Sequence, residues 1–235
     1  MAADTTRIPL FPLGIVVLPQ MILPLHIFEE RYKLMIGECI AANTAFGIVL
    51  FDGQSIRSVG CTTRVSEVTR TYADGRMDIL TRGEQRFVIH EIIEEKSYME
   101  ARVQFVADAP DPPDPAVAKT VGEAHRLLKQ IAEVASLSDL EALLALEDPP
   151  ALSYAIAALE GFTPTERQHF LEMASGRERL EKSVKALAHL LERYQLNREI
   201  KRLIGGNGLV KGRNFKCTRI SHQPRQGKGT AAVNA

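Results

Sequence analysis

The chain has 235 residues with 29 basic and 29 acidic side chains, so its formal net charge at pH 7 is zero. This balance argues against a polyanionic partner for the chain as a whole, and 45% hydrophobic with 25% charged residues is ordinary for a soluble globular protein. The three cysteines lie far apart, so we expect no disulfide framework, no zinc site and a reducing cytoplasmic location. Neither a signal peptide nor a membrane-spanning run is predicted.

Residues 1–109 have the pattern of a β-rich domain. Asp74-Gly75, between two β-patterned runs, predicts a hairpin turn, and Gly83 predicts a bend or bulge. One amphipathic helix is expected to start near residue 28 and to end at Asn43, with one buried face comprising Phe28, Tyr32, Met35, Ile36 and Cys39. The β-patterned runs 8–18, 21–27, 45–51, 61–72, 76–82, 86–93 and 98–106 are seven, and together they predict about six strands. A closed or nearly closed β-barrel would remove their exposed edges.

The composition changes near residue 110. Four prolines between residues 110 and 115 predict a linker, 110–116, because proline fits neither a helix interior nor a central strand. Residues 117–205 then read as a helical bundle, with start signals at Ser138 and Thr163 and a last helix over about 177–204. Residues 206–235 are basic, contain no acidic residue, and are expected to be a disordered tail.

Four blocks of the sequence resemble the LON substrate-binding domain family. They are IPLFPL with VVLP and LPLHIFEERY at 8–32, VGC at 59–61, DGR at 74–76 and TRGEQRF at 81–87. The resemblance covers roughly residues 5–204. It implies an α+β fold, in which a PUA-like β-barrel precedes a helical bundle, and a role in recognising protein substrates or partners.

The motifs of catalysis are not found in the sequence. The only Gly-Lys pair, Gly227-Lys228, does not fit a nucleotide-binding loop, and the six histidines have no zinc-ligand spacing. Ser153, Ser175 and Ser183 lie in helical contexts without the protease motif of the Lon family. We therefore expect a non-catalytic module with no catalytic residue, metal or cofactor, and with neither the ATPase nor the Ser–Lys protease module of Lon.

The candidate binding residues lie on the outer face of the first helix. Leu34 is the one large apolar residue on a charged face that also carries Glu30, Lys33 and Glu38, with Arg31 in the adjoining FEERY signature. We interpret Phe28 and Tyr32 as core residues, and His26 as a polar residue of a structural strand. The peptide-binding hypothesis therefore names Glu30, Arg31, Lys33, Leu34 and Glu38.

The expected partners are unfolded or extended polypeptide segments, as for an adaptor in protein quality control. The alternative is RNA binding through the barrel and the basic tail, although the barrel has no dense basic patch with interleaved aromatic residues. The apolar seam from Leu180 to Tyr194 fits packing within the chain or a weak homodimer. A monomer or a weak homodimer is expected.

Overall fold

A computed structural model describes residues 5–112, 114–135 and 141–206. This part of the chain contains six strands that belong to one mixed sheet. One helix lies between the second and third strands, and the other described helices follow the sixth strand, so the fold is α+β. The α+β class is as predicted. The strands are β1 (Thr6–Leu13), β2 (Ile22–Ile27), β3 (Phe46–Phe51), β4 (Ile56–Thr71), β5 (Met77–Ile93) and β6 (Glu100–Val106).

The strand pairings form a closed circuit. β1 lies parallel to β3 and antiparallel to β6, while β3–β4, β4–β5 and β5–β6 are antiparallel pairs. Because β6 pairs with both β1 and β5, the circuit β5–β4–β3–β1–β6–β5 has no end. β2 stands outside this circuit and pairs only with the first part of β5, residues 77–82. One short three-stranded region, β2–β5–β4, therefore extends beyond the circuit.

Two of the strands are longer than the sequence pattern suggested. β4 begins at Ile56, and β5 runs through Gly83 without interruption. The predicted irregularity at Gly83 is present as a register shift, because Thr63 pairs with Gly83 whereas Cys61 pairs with Arg86. The hairpin turn between the strands is confirmed: Gly75 has a φ of 81°, and its N–H donates to the Tyr72 carbonyl at 3.0 Å.

Helix α1 (Glu30–Ala42) connects β2 to β3. It buries Tyr32, Met35, Ile36 and Cys39, which recur at spacings of three and four residues and so lie on one face. The predicted end at Asn43 is confirmed, since this residue takes a left-handed conformation, with a φ of 50°.

The remaining helices are α2 (Ala116–Ala135), α3 (Glu141–Leu144), α4 (Pro149–Ala157), α5 (Pro164–Glu172) and α6 (Gly176–Gly206). The start signal at Thr163 is confirmed as a complete capping box with Glu166. Asp148 caps α4 and accepts from the Ala151 N–H at 2.9 Å, so Pro149 rather than Pro150 is the first helical residue. The predicted start at Ser138 lies outside the described residues, as does the predicted tail 206–235 apart from Gly206, which ends α6.

The sheet and the helices share one large core. It joins side chains of β1, α1 and β3 to side chains of α2, α4, α5 and α6. Leu180, Leu187 and Leu191 of the predicted seam are buried in it, so the seam packs within the chain. The described residues up to Leu196 form one compact unit, and the division into domains at 1–109 and 117–205 stays a prediction. No helix in the described ranges is both long and apolar enough to cross a membrane.

Candidate functional site

The outer face of α1 presents Leu34 to solvent. Its side chain is 50% exposed, because the buried stripe of α1 turns this position away from the sheet. Glu30 lies one turn before it and forms an ion pair with Lys33 at 2.6 Å. Leu34 is thus exposed beside an ion pair of α1, and the role of this face in peptide binding stays a prediction.

Lys33 has a structural role that the sequence did not reveal. Its ammonium group donates to the Asp74 carbonyl at 3.0 Å, in the turn between β4 and β5, and its side chain is only 14% exposed. The Lys33 contact holds the first turn of α1 against the hairpin tip. Lys33 is therefore mostly covered, and its ammonium group is less accessible to a bound polypeptide than that of an exposed lysine.

Arg31 and Glu38 also have partners within the chain. Arg31 pairs with Glu29 at 2.8 Å and lies 4.6 Å from the centre of the Tyr32 ring. The Glu38 carboxylate accepts from the Tyr98 hydroxyl at 2.5 Å and from Lys96 at 2.9 Å. These two hydrogen bonds lower the pKa of Glu38 below its usual range, the Tyr98 bond being the larger cause.

Phe28 was predicted to be a core residue, and this prediction is wrong. The side chain is 61% exposed, because α1 begins only at Glu30 and Glu29 has an extended backbone. Phe28 therefore lies in the link between β2 and α1, and the helical spacing that predicted its burial does not apply there. Its ring stacks at 6.1 Å on His26 of β2.

His26 belongs to a polar cluster on the β2–β5–β4 region. Its Nδ1 lies 2.5 Å from the Asp78 carboxylate, which also accepts from the Tyr72 hydroxyl at 2.8 Å. The guanidinium groups of Arg70 and Arg76 lie 4.5 and 5.0 Å from the centre of the Tyr72 ring. The cluster ties β2 to the hairpin and presents aromatic and cationic groups side by side.

A groove runs between the end of α1 and β4, and we call it the α1–β4 groove. Its volume is about 280 Å³. Ile40 and Val68 contribute apolar side chains that are each 41% exposed. The full lining is Cys39, Ile40, Asn43, Thr44, Arg64, Val65, Ser66, Glu67 and Val68. Sequence reasoning missed this groove, since it depends on where β4 lies relative to the helix.

No metal centre is evident in the part of the chain that the structure describes: no three His, Cys, Asp or Glu side chains there are grouped to hold an ion. Burial raises the pKa of the Cys61 thiol to about 12, which keeps it protonated and unreactive.

The family model of the ATP-dependent protease La (LON) substrate-binding domain matches residues 7–189. The chain belongs to the LON substrate-binding domain family. The fold agrees with two solved structures. The Lon N-terminal domain protein from Xanthomonas campestris superimposes with a TM-score of 0.60 at 22% identity, over 75% of this chain and 96% of that one. The N-terminal domain of the Mycobacterium avium complex Lon protease gives 0.64 at 19%, over 78% and 98%.

Curated relatives of this LON domain are much longer proteins. The Lon protease of Methylocella silvestris is 31% identical over 136 residues, which are 56% of this chain and 16% of that protein. The Lon protease of Dictyoglomus thermophilum is 26% identical over 213 residues, which are 82% of this chain and 26% of that protein. The chain thus spans about a quarter or less of the length of these two relatives.

The signature LPLHIFEERY of this LON domain combines buried and exposed residues. Ile27 and Tyr32 are buried, and the Tyr32 ring lies 4.0 Å from that of Phe11 in β1. Pro24 and His26 belong to β2, at the edge of the sheet. Phe28 is the exposed aromatic residue of the signature.

Proposed function

We propose that this LON substrate-binding domain binds extended or unfolded polypeptide segments, without catalysing a reaction on them. The observation that carries the proposal is a set of exposed large apolar side chains on α1 and on the strands next to it in the chain or in space. Five of them come from β2, the link after it, α1 and β4: Ile22, Phe28, Leu34, Ile40 and Val68. Exposed apolar groups rimmed by charge are typical of protein-interaction surfaces.

The family relationship supports the same proposal. The matching family model describes the substrate-binding part of an ATP-dependent protease, and the relatives are named Lon proteases. We infer that the domain recognises polypeptides as an adaptor in protein quality control. The proposed binding residues are Glu30, Arg31, Lys33, Leu34 and Glu38, with Phe28 as a further contact.

We further propose that the sheet is a PUA-like β-barrel followed by a helical bundle. The closed circuit of pairings among β5, β4, β3, β1 and β6 supports this assignment, since closure removes most unpaired edges. A closed sheet would give α1 and the β4–β5 hairpin a rigid support. Such support suits a surface that must bind many sequences without reshaping itself.

The experiment compares capture of a denatured, alkylated test protein by the wild type and by Leu34→Glu. We expect the variant to bind at least about fivefold more weakly, because an apolar contact is replaced by a charge. Leu196→Glu is the matched control: Leu196 is an exposed leucine of α6, and its substitution should leave capture unchanged. Equal capture by wild type and Leu34→Glu would remove Leu34 from the proposed surface.

RNA binding is the second candidate function, and the cluster around Tyr72 is the observation that favours it. Two guanidinium groups held over one aromatic ring can stack on bases and contact phosphates. Titration with a single-stranded RNA at rising salt concentration separates the two candidates. RNA binding that falls steeply with salt, together with no capture of denatured protein, would favour this alternative.

A further inference from the structure

The strand β4 has one edge that is only partly paired. β5 accompanies it from Val59 to Thr71 on one side. On the other side β3 accompanies it only from Ile56 to Thr63. From residue 64 to residue 71, no described strand pairs with this second edge. About half of a long strand therefore presents its backbone N–H and C=O groups without a ladder partner.

The α1–β4 groove lies along this unpaired edge. Its β4 wall consists of five consecutive residues, 64–68. The groove thus follows β4 for five residues, a stretch that includes a register shift against β5 between Val65 and Glu67. The opposite wall is the end of α1 with Ile40, Asn43 and Thr44. A second extended backbone is the chemical group that can pair with such an edge along its length.

The other free edge of the sheet is blunted. β2 pairs with β5 on one side only, and it contains Pro24, which has no N–H to donate. Residues 64–71 of β4 contain no proline. The hydroxyls of Ser66 and Thr69 donate to the Leu80 and Asp78 carbonyls, so these two side chains turn back toward β5.

The charges of the groove indicate which side chains an added strand would carry. Arg64 is engaged by Glu84 at 2.7 Å and by the Asn43 carbonyl. Glu67 has no ion-pair partner within the described ranges. At the end of α1 the Ile40 and Cys39 carbonyls accept from the Asn43 and Thr44 N–H groups, so Glu67 is the acidic group of this wall that can meet a ligand. Basic side chains complement this wall, and apolar ones complement Ile40 and Val68.

We propose that an extended polypeptide with alternating apolar and basic residues binds in the α1–β4 groove by adding a strand to β4 at residues 64–71. The proposal rests on the proposed function, since it specifies how and with what sequence preference a polypeptide is held. Backbone pairing supplies affinity that does not depend on sequence. The apolar and acidic lining supplies the preference for the side chains.

The first test changes the ligand and leaves the protein intact. A labelled peptide of about eight residues alternating valine and lysine is compared with the same peptide N-methylated at alternate backbone nitrogens. N-methylation removes the N–H groups that a ladder needs, so we expect binding about tenfold weaker or more. A peptide alternating valine and glutamate should also bind more weakly, because Glu67 repels it.

The second test locates the binding site. Hydrogen exchange of the wild-type protein should slow at amides within residues 64–71 when the valine–lysine peptide is added. Ile40→Lys should weaken binding several-fold, while Ile92→Lys should not. Ile92 is a matched control because it is also 41% exposed but lies on β5, outside the groove lining.

The outcomes separate this inference from the proposed function. Equal binding of the N-methylated peptide, or protection outside residues 64–71, would overturn strand addition. If the wild type captures denatured protein but shows neither effect, polypeptide recognition stands and strand addition falls. If neither denatured protein nor the peptide binds, both proposals fail together.

Discussion

The Asp108 carboxylate accepts hydrogen bonds from the fully buried guanidinium group of Arg179. The same carboxylate accepts from Arg86 of β5 at 2.5 Å, so one acid bridges two buried arginines. The Arg179 guanidinium lies 3.7 Å from the centre of the Tyr154 ring, and both arginines donate to the Met173 carbonyl. Sheet and helices are thus joined by a buried polar network as well as by their shared apolar core.

Asp108→Ala should be strongly destabilising. Removing the carboxylate leaves two buried guanidinium groups without their charge partner, and the expected loss is about 3–5 kcal/mol in the free energy of unfolding. Urea denaturation at neutral pH, followed by circular dichroism, measures it. Glu91→Ala is the control, since Glu91 and Arg102 form an exposed pair at 2.9 Å and such pairs contribute at most about 1 kcal/mol. Similar losses in the two variants would contradict the bridging role.

This network could not have been predicted from the sequence. Asp108, Arg86 and Arg179 lie far apart along the chain, and no local pattern distinguishes them from solvent-exposed charges. Local signals, by contrast, gave correct predictions. The turn at Gly75 and the helix end at Asn43 depend on backbone conformations that few residues adopt, so single positions identify them.

The candidate site also contains features that the sequence predicted and features that it did not. Helical spacing was sufficient to predict that Leu34 faces solvent. It was insufficient for Phe28, because the extended backbone at Glu29 ends the periodicity one residue before α1 begins. It was also insufficient for the α1–β4 groove, which exists because β3 pairs with β4 only up to Thr63. Strand register is a property of the tertiary structure, and a single sequence does not specify it.

Glycine-to-alanine substitutions at positions 83 and 122 should have opposite effects on stability. A Cβ atom at Gly83 would lie 2.2 Å from the Leu18 carbonyl oxygen, where backbone must move to make room, and we expect a loss of about 1–3 kcal/mol. A Cβ atom at Gly122 in α2 would meet nothing within 4 Å. Gly122→Ala should therefore add about 0.5–1 kcal/mol through helix propensity.

Both variants are compared with the wild type by chemical denaturation. Each serves as the control for the other, because the atoms added are identical and only the surroundings differ. A Gly83→Ala variant that is no less stable than the wild type would mean that the close approach of Gly83 to Leu18 is relieved without cost.

The Cys61 thiol should react only when the protein unfolds. Burial raises its pKa to about 12, and the thiolate is the reactive form. In a Cys217→Ser background, pulse labelling with iodoacetamide at increasing urea should modify Cys61 along the unfolding transition seen by circular dichroism. A cysteine introduced at the exposed position Ser58 should be labelled without urea. Comparable labelling of Cys61 in the folded protein would contradict its burial.

The raised pKa of Cys61 also has a consequence at alkaline pH. A group whose pKa is raised on folding stabilises the folded state fully below its unfolded pKa. That contribution is lost as the pH rises from about 8.5 toward the folded value of about 12. Cys61→Ser should therefore weaken the dependence of stability on pH in this alkaline window.

Asp78 should stabilise the β2–β5–β4 region in a manner that acid abolishes. Hydrogen bonds from the His26 ring, the larger cause, and from the Tyr72 hydroxyl hold the pKa of Asp78 below its usual range. A carboxyl group whose pKa is lowered on folding stabilises the folded state above its unfolded pKa, about 3.9. The contribution disappears as the pH falls through the lower folded value.

Asp78→Asn should accordingly lower the melting temperature at neutral pH, and the difference from wild type should shrink as the pH falls below about 4. Glu67→Gln is the matched control, because it removes a carboxylate from the same hairpin that has no ion-pair partner within the described ranges. Melting curves of the three proteins across this pH range test the expectation. A difference for Asp78→Asn that persists unchanged in acid would mean that its amide, rather than the lost carboxylate, causes the destabilisation. If instead the difference disappears in acid, the hydrogen bonds of Asp78 to His26 and Tyr72 hold β2 against the β4–β5 hairpin. β2 is the strand that leads into exposed Phe28.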